Sequence, residues 1–400
     1  MKGELLQSDF FSPFDQGFQK LKRPNFIAFA NGSFQVQGIN AFILSRQEHG
    51  ERMCGIVVSY EGRMQDKNEI SALSRNEVEF VGEYNQHPIR CHNSWQEWKK
   101  EKGKTAEPFY VMFMMKEHMD LRVLKWLRAK YPERPIVVVI TTEGLASYVD
   151  NAFGQGLFSM REEKGNILCK LAAFLHGTAN SLYKGAFAWW LKRQGRLCEF
   201  QLLSLLSDGG LRPNRETSQY FRKAFEKSAR KREIKIAADH YKNVILFNTQ
   251  PTFERQECLD ADTAVLQKAC KMVKDLGLRA VLKPHPAEKN FSRYEKLGYE
   301  IDTTANIAQE YLLAAADCKP IAVVGFSSTT LLTANLFWRI PAISLVNCID
   351  LYKIDAHARR AAKKFIIRYK ELQAPKDMQE FAALLKKKME EGKCYGNYQD

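Results

Sequence analysis

PIVVVITTEGLASY, residues 135–148, reads as a buried strand and the turn that follows it. Ile136 to Ile140 are five consecutive branched apolar residues, so neither face of the strand is polar. A strand covered on both faces belongs to a parallel sheet with helices packed on either side. Working outward, the same grammar recurs. Strands are predicted at residues 25–30, 53–60, 109–115 and 135–141, with helices at 34–48 and 120–131 between them. The pattern then breaks into a helical stretch at 164–193, a short apolar run near Phe200 and a basic helix at 218–232. A second series follows, with strands at 243–247, 279–283, 321–325 and 342–345 and helices at 260–276, 307–315 and 329–337. Residues 354–391 read as two basic helices.

The expected fold class is α/β, because strands alternating with helices build parallel sheets. A chain of 400 residues exceeds what one hydrophobic core organises. Two Rossmann-like domains are therefore expected, with parallel sheets facing a cleft. The first is placed at residues 1–238, with a basic helical insertion at about 160–235, and the boundary near 236–241. The second is placed at 239–352, and residues 353–400 are expected to cross back and brace the domains.

Lysine and arginine number 60 against 46 acids, a net charge of +14 that favours anionic partners. The nine cysteines are scattered and form no C-x-x-C pair, which argues against a disulfide framework or zinc knuckle and fits a reducing cytosol. The first residues, MKGELLQSDFFSPFDQ, carry acids and a proline where a signal peptide needs an apolar core, and no run of about 18 apolar residues occurs. A cytoplasmic chain, neither exported nor membrane-spanning, is the expectation.

Open parallel sheets bind ligands at the carboxyl ends of their strands, so the residues just after strands are the candidates. Glu143, followed by Gly144, Ser147 and Tyr148, places a carboxylate where partial desolvation can raise its pKa toward that of a general base. The plainer reading makes it a helix cap. Lys283-Pro284-His285-Pro286 clamps an imidazole between two prolines beyond a strand, where it can hold a phosphate or aid a leaving group. Gly325, Ser327, Ser328 and Thr329 offer glycine and hydroxyls at a helix amino terminus, chemistry that suits an anion but also an ordinary cap. Asn31, Gly32 and Ser33 repeat that logic after the first strand. Asp260 to Asp262 reads as a helix cap, and Ser207-Asp208-Gly209-Gly210 competes with Glu143 as an acid followed by glycine.

In this order the segments resemble the bacterial capsular polysialyltransferases and lipooligosaccharide sialyltransferases. The resemblance rests on Thr142-Glu143-Gly144 with Ser147-Tyr148, on Lys283-Pro284-His285-Pro286 and on Ser327-Ser328-Thr329. It is supported by ILFNTQP at 245–251, which includes Gln250, and by Ile307-Ala308-Gln309-Glu310. It spans residues 25–345 and leaves 153–235 unmatched.

The resemblance implies a GT-B fold and inverting, metal-independent transfer of sialic acid, or a related nonulosonic acid, from a CMP-activated donor to a capsular or lipooligosaccharide acceptor. Neither metal nor cofactor is implied. By position Glu143 matches the general base and His285 the histidine on the CMP phosphate, while Ser327 and Ser328 match the donor-phosphate hydroxyls. Lys283, Pro286, Gly325, Thr329, Glu310 and Gln250 accompany them on the donor side. Asn31, Gly32, Ser33, Ser147 and Tyr148 fall to the acceptor side. Where the family has a second acid before the base, this chain has Thr142.

Between residues 161 and 235 stand 16 Lys/Arg against 7 Asp/Glu, interleaved with aromatics. A solvated helix face is one reading. The other is a patch for a polyanionic acceptor or for the inner face of the inner membrane, comprising Trp189, Trp190, Lys192, Arg193, Arg230, Lys231 and Arg232. Acidic glycan or glycolipid, and capsule or lipooligosaccharide assembly proteins, are the partners this reading admits. A CMP-Kdo transferase or CDP-polyol phosphotransferase keeps the fold and changes the donor. A nucleic-acid-binding protein would explain the charge, but no nucleic-acid module is recognisable.

Overall fold

The computed structural model describes residues 2–30, 32–60, 78–84, 106–142, 148, 152–249, 256–285, 288, 291–303, 307–349 and 363–395. The chain forms two compact units, residues 1–143 with 150–201, and residues 144–149 with 202–400.

The first unit runs α1 (Lys2–Gln19), β1 (Phe26–Ala30), α2 (Ser33–Glu48), β2 (Gly55–Tyr60), β3 (Val78–Tyr84), β4 (Phe109–Phe113), α3 (Leu121–Lys130), β5 (Ile136–Ile140), α4 (Ala152–Glu162), α5 (Ile167–Arg193) and β6 (Leu197–Glu199). All six strands are parallel in the order β3-β2-β1-β4-β5-β6, the doubly wound order. The continuous apolar runs of β1 and β4 are buried throughout, as a sheet covered on both faces requires. Helix α1 was not predicted. Phe11, Phe14 and Phe18 recur at helical spacing and are buried, with Phe14 edge-on to Phe29 at 6.2 Å and Phe18 edge-on to Phe109 at 5.8 Å. Those phenylalanines carry the helix through Pro13, which sits inside it.

The second unit opens with the antiparallel hairpin β7 (Leu203–Leu205) and β8 (Leu211–Pro213), followed by α6 (Arg215–Lys231). It continues through β9 (Val244–Asn248), α7 (Gln256–Asp275), β10 (Arg279–Lys283), α8 (Ser292–Lys296), β11 (Glu300–Ile301), α9 (Gln309–Ala315), β12 (Ala322–Gly325), α10 (Thr329–Trp338), β13 (Ala342–Ser344) and α11 (Met378–Tyr395). The parallel sheet has the order β11-β10-β9-β12-β13. Both Rossmann-type sheets predicted for a GT-B chain are thus present.

The units divide at residues 201/202, where the sequence places the division near 236–241. Helix α6 explains the difference. Its buried face meets the second unit, with Phe225 edge-on to Tyr311 of α9 at 5.1 Å and Phe221 stacked on Phe337 of α10 at 6.1 Å. The last helix, α11, places Phe381 and Leu385 in the core of the same unit. Residues 350–362, the start of the expected carboxyl-terminal helices, lie outside the described residues.

Tight strand pairing makes one substitution diagnostic. A Cβ on Gly55 would fall inside contact distance of the Phe26 carbonyl oxygen and 2.6 Å from the Phe26 ring. Gly55→Ala is expected to destabilise the first sheet by about 2 kcal/mol, the cost of forcing a packed core apart. Thermal unfolding should show a Tm lowered by roughly 4–8 °C.

Candidate functional site

Topology decides where each sheet presents a site. In the second sheet β10 and β12 flank β9, so strand order reverses there and the crevice lies beyond its carboxyl end. Register sets Lys283, Asn248, Gly325 and Ser344 in one row across β10, β9, β12 and β13. The next residues along each chain are Pro284-His285, Thr249 and Phe326-Ser327-Ser328. The His-Pro and serine segments, 40 positions apart at His285 and Gly325, therefore share one sheet edge. A Cβ on Gly325 would stand 3.0 Å from the Asn248 carbonyl oxygen, so glycine spares β12 a tight contact with β9. Asn248 is buried, and its side-chain oxygen has no hydrogen-bond partner among the described residues.

His285 is exposed just past β10. Its backbone N–H donates to Thr249 Oγ1 at 2.9 Å, and its carbonyl accepts the Glu288 N–H at 2.8 Å. The Thr249 hydroxyl donates to the buried Glu288 carboxylate at 2.6 Å, whose other oxygen accepts the Tyr294 hydroxyl at 3.1 Å. Arg293 lies 3.7 Å from that oxygen and 3.6 Å from Asp262. A hydrogen-bonded clasp thus holds the histidine segment. Pro286 and Gln250 lie outside the described residues. Lys283 is buried, its Nζ 3.4 Å from the Asp302 carbonyl oxygen, and burial lowers its pKa while Asp302 opposes the shift.

Asp262 corrects an expectation. Helix α7 begins at Gln256, so Asp262 sits within it rather than capping it, and it is buried. Burial pushes its carboxyl up to about 7, with Glu288 adding and Arg293 opposing. Among the described residues no three His, Cys, Asp or Glu side chains cluster as metal ligands would.

Ser328 is the N-cap of α10 and accepts the Thr330 N–H at 3.2 Å, while Thr329 is the first helical residue and Ser327 precedes the cap half-buried. Glu310 is buried beneath them and accepts the Thr333 hydroxyl at 2.8 Å and the Thr330 hydroxyl at 3.3 Å. Burial raises its pKa, and the threonines oppose the shift. It ties α9 to α10. Asn248, Thr249 and Glu288 were missed as site residues; the signals were a polar pair closing the apolar run ILF and an acid three residues past the histidine.

In the first unit, Gly32 is the N-cap of α2 in extended conformation and Ser33 the first helical residue, while Asn31 lies outside the described residues. Thr141 and Thr142 are buried beyond β5. Glu143, Gly144 and Ser147 lie outside the described residues. Tyr148 belongs to the second unit and is buried; its hydroxyl accepts the Leu203 N–H at 3.2 Å, and Arg368 donates to its carbonyl at 3.0 Å. Asp208 sits exposed in the β7–β8 turn and accepts the Gly210 N–H at 2.8 Å beside Gly209, whose φ is +80°. That is turn chemistry.

The predicted basic patch is split between the units. On α5, Trp189 is 58% exposed with the Arg193 guanidinium 4.9 Å from its ring centre, Lys192 pairs with Glu199, and Trp190 stacks on Phe187 at the core. On α6, Arg230 donates to the Glu226 carbonyl at 3.3 Å and Lys231 is exposed. Arg232, just past the helix, lies 5.1 Å over the Tyr311 ring.

A family model described as alpha-2,8-polysialyltransferase (POLYST) matches residues 26–347. No curated protein matches the sequence. Among solved structures, the chain is similar to an alpha/beta-galactoside alpha-2,3-sialyltransferase from Photobacterium phosphoreum, at 12% identity over 88% of this chain and 99% of that one, with a TM-score of 0.45. It is also similar to the GT-B domain of a sialyltransferase from Photobacterium damselae, at 13% identity over 87% and 99%, TM-score 0.41. An Escherichia coli heptosyltransferase with ADP gives 12% identity over 92% and 99%, TM-score 0.38.

The buried acid behind His285 has a measurable signature. A carboxyl raised from 3.8 to about 7 keeps in the folded state a proton that the unfolded chain releases. Its contribution to stability therefore falls as pH rises from about 4 to 7. Asp262→Asn should remove that fall, so the variant gains on the wild type across the window by up to about 4 kcal/mol. Denaturant unfolding at both ends of the window measures it, and parallel pH profiles would show that Asp262 titrates normally.

Proposed function

This chain belongs to the alpha-2,8-polysialyltransferase family, and from that premise we propose that it is an inverting, metal-independent enzyme using a CMP-activated sialic acid. It is a glycosyltransferase that moves sialic acid from a nucleotide-sugar donor to a glycan acceptor. The observation that carries the finer reading is the row Lys283-Asn248-Gly325-Ser344, which sets the histidine and serine segments at the switch point of one sheet. In this reading His285 stands by the donor phosphate. Ser327 and the amino terminus of α10 supply donors and a favourable dipole to the same group. Lys283 lends its positive charge from behind the edge, while Glu310 secures α10 beneath the serines.

The reaction is a single displacement. The acceptor hydroxyl oxygen forms a bond to the anomeric carbon as the bond from that carbon to the CMP phosphate oxygen breaks, with inversion. Glu143 takes the hydroxyl proton, and His285 stabilises or protonates the departing phosphate. The acceptor is a capsular or lipooligosaccharide glycan.

The enzyme works on the inner face of the inner membrane, and α5 supports this. Ile167, Leu168, Leu171, Leu175, Leu182 and Trp189 are all more than half exposed, and Lys170, Lys192 and Arg193 lie among them. An apolar face fringed with cations suits an anionic bilayer. Among the described residues no helix is long and apolar enough to cross one.

Two experiments test the reading. CMP and CDP should raise the Tm in EDTA, because binding to the native state stabilises it, whereas a response confined to UDP or GDP would overturn the donor. Glu143→Gln should lower transfer by about 10² or more while leaving CMP binding intact, with Asp208→Asn near wild type. The opposite ranking would move the base to Asp208.

The membrane reading is tested separately. Leu171→Asn with Leu175→Asn should abolish co-sedimentation with vesicles containing phosphatidylglycerol while leaving transfer to a soluble acceptor unchanged. Undiminished sedimentation would remove α5 from the membrane.

A further inference from the structure

The histidine segment past β10 has few anchors of its own. Pro284 and Pro286 flank His285, and proline has no N–H to donate, so the run 284–286 carries one backbone donor, the N–H of His285. That N–H donates to Thr249 Oγ1 at 2.9 Å, and the His285 carbonyl accepts the Glu288 N–H at 2.8 Å. Both polar groups of the His285 backbone are therefore engaged. One is held by a side chain that follows β9, the other by a residue three positions further on.

The Thr249 hydroxyl closes the two halves of this clasp. It donates to Glu288 Oε2 at 2.6 Å, so its proton is committed to the carboxylate and a lone pair is left for the histidine N–H. Glu288 Oε1 accepts the Tyr294 hydroxyl at 3.1 Å, with the Arg293 guanidinium 3.7 Å away. Through Arg293, 3.6 Å from Asp262, the clasp reaches α7 as well as α8.

The sheet does not require this arrangement. Strand β9 pairs with β10 through backbone groups from Val244 to Asn248 and from Arg279 to Lys283, and both Thr249 and Glu288 lie beyond those limits. A buried carboxylate is costly even when paired, and apolar residues of similar volume often serve stability as well. Glu288 is 7% exposed and Thr249 5%. What they add is a fixed height and direction for His285, the one exposed residue among those described in the run 283–288.

We propose that Thr249 and Glu288 are positioning residues for His285, holding its imidazole at the departing donor phosphate. The proposal rests on the reading of His285 as the group beside that phosphate. Both act through the histidine backbone rather than on the substrate. A group that stabilises or protonates a leaving oxygen works within hydrogen-bond reach, and a misplacement of about 1 Å costs on the order of 10² in rate. Loss of the clasp therefore falls on kcat, while the KM for the donor, set by contacts along the rest of the sheet edge, moves little.

The test is a double-mutant cycle on the full chain, with CMP-sialic acid as donor and a soluble sialic acid oligomer as acceptor. Thr249→Val keeps the side-chain shape and removes the hydroxyl. It should lower kcat about tenfold or more with the donor KM within about twofold, and Thr249→Ser should restore most of the rate. Placed on His285→Gln, Thr249→Val should cost almost nothing further, because a residue that acts only through the histidine then has nothing to position. Glu288→Gln keeps the shape and one acceptor oxygen. It should give a smaller loss that vanishes in the same background, and it carries the test if thermal unfolding shows Thr249→Val to be misfolded. Unchanged kcat, or losses that multiply with that of His285→Gln as a merely structural defect would, overturns the positioning role and leaves the donor assignment standing. Full activity of His285→Gln overturns the reading of the histidine itself, and the positioning role with it.

Discussion

The close approach of β12 to β9 is the constraint that shapes the sheet edge carrying His285 and the serine segment. With no side chain at Gly325, the strand ends meet at the Asn248 carbonyl, 3.0 Å from where a Cβ would be. That approach starts α10 beside the switch point, so Ser327, Ser328 and the first turn of the helix stand at the same edge as His285.

Behind that row lies an arrangement of buried charge in which each acid has an assigned partner. Glu288 takes the Thr249 and Tyr294 hydroxyls, Glu310 the hydroxyls of Thr330 and Thr333, and Asp302 the Tyr241 hydroxyl at 2.8 Å. Buried carboxylates are costly unless hydrogen-bonded, and these bonds tie consecutive helices and loops to one sheet. Asp262 is the exception. Arg293 lies 3.6 Å from one of its oxygens, the other has no partner among the described residues, and its carboxyl is pushed up to about 7, at the margin between neutral and charged. The exposed imidazole of His285 thus rests on a segment whose backbone is clasped and whose support is sensitive to pH.

The two units use their basic residues differently. On α5 the cations fringe an apolar face, while on α6 they line a hollow with α10. A net charge of +14 is one number, but its distribution separates cations beside an exposed apolar face from cations that line a hollow.

By itself the sequence determined the class of sheet, eight of the eleven strands in the two parallel sheets, though not β3, β6 or β11, and the order of the segments that resemble sialyltransferases. Apolar runs without a polar face, as in β1, β4, β5, β9 and β10, are local properties, and local properties survive in one dimension. Helix α1 escaped because its phenylalanines sit among acids and a proline, and only the surface they cover makes them a helix. The end of the first unit escaped because α6 is amphipathic in any setting, and tertiary packing on Tyr311 and Phe337 chose its side. Asp262, Tyr148 and Glu310 look like accessible polar residues in the chain; the structure buries all three. Register alone put His285 and Ser327 on one edge, since residues forty positions apart meet through strand pairing that no local pattern encodes.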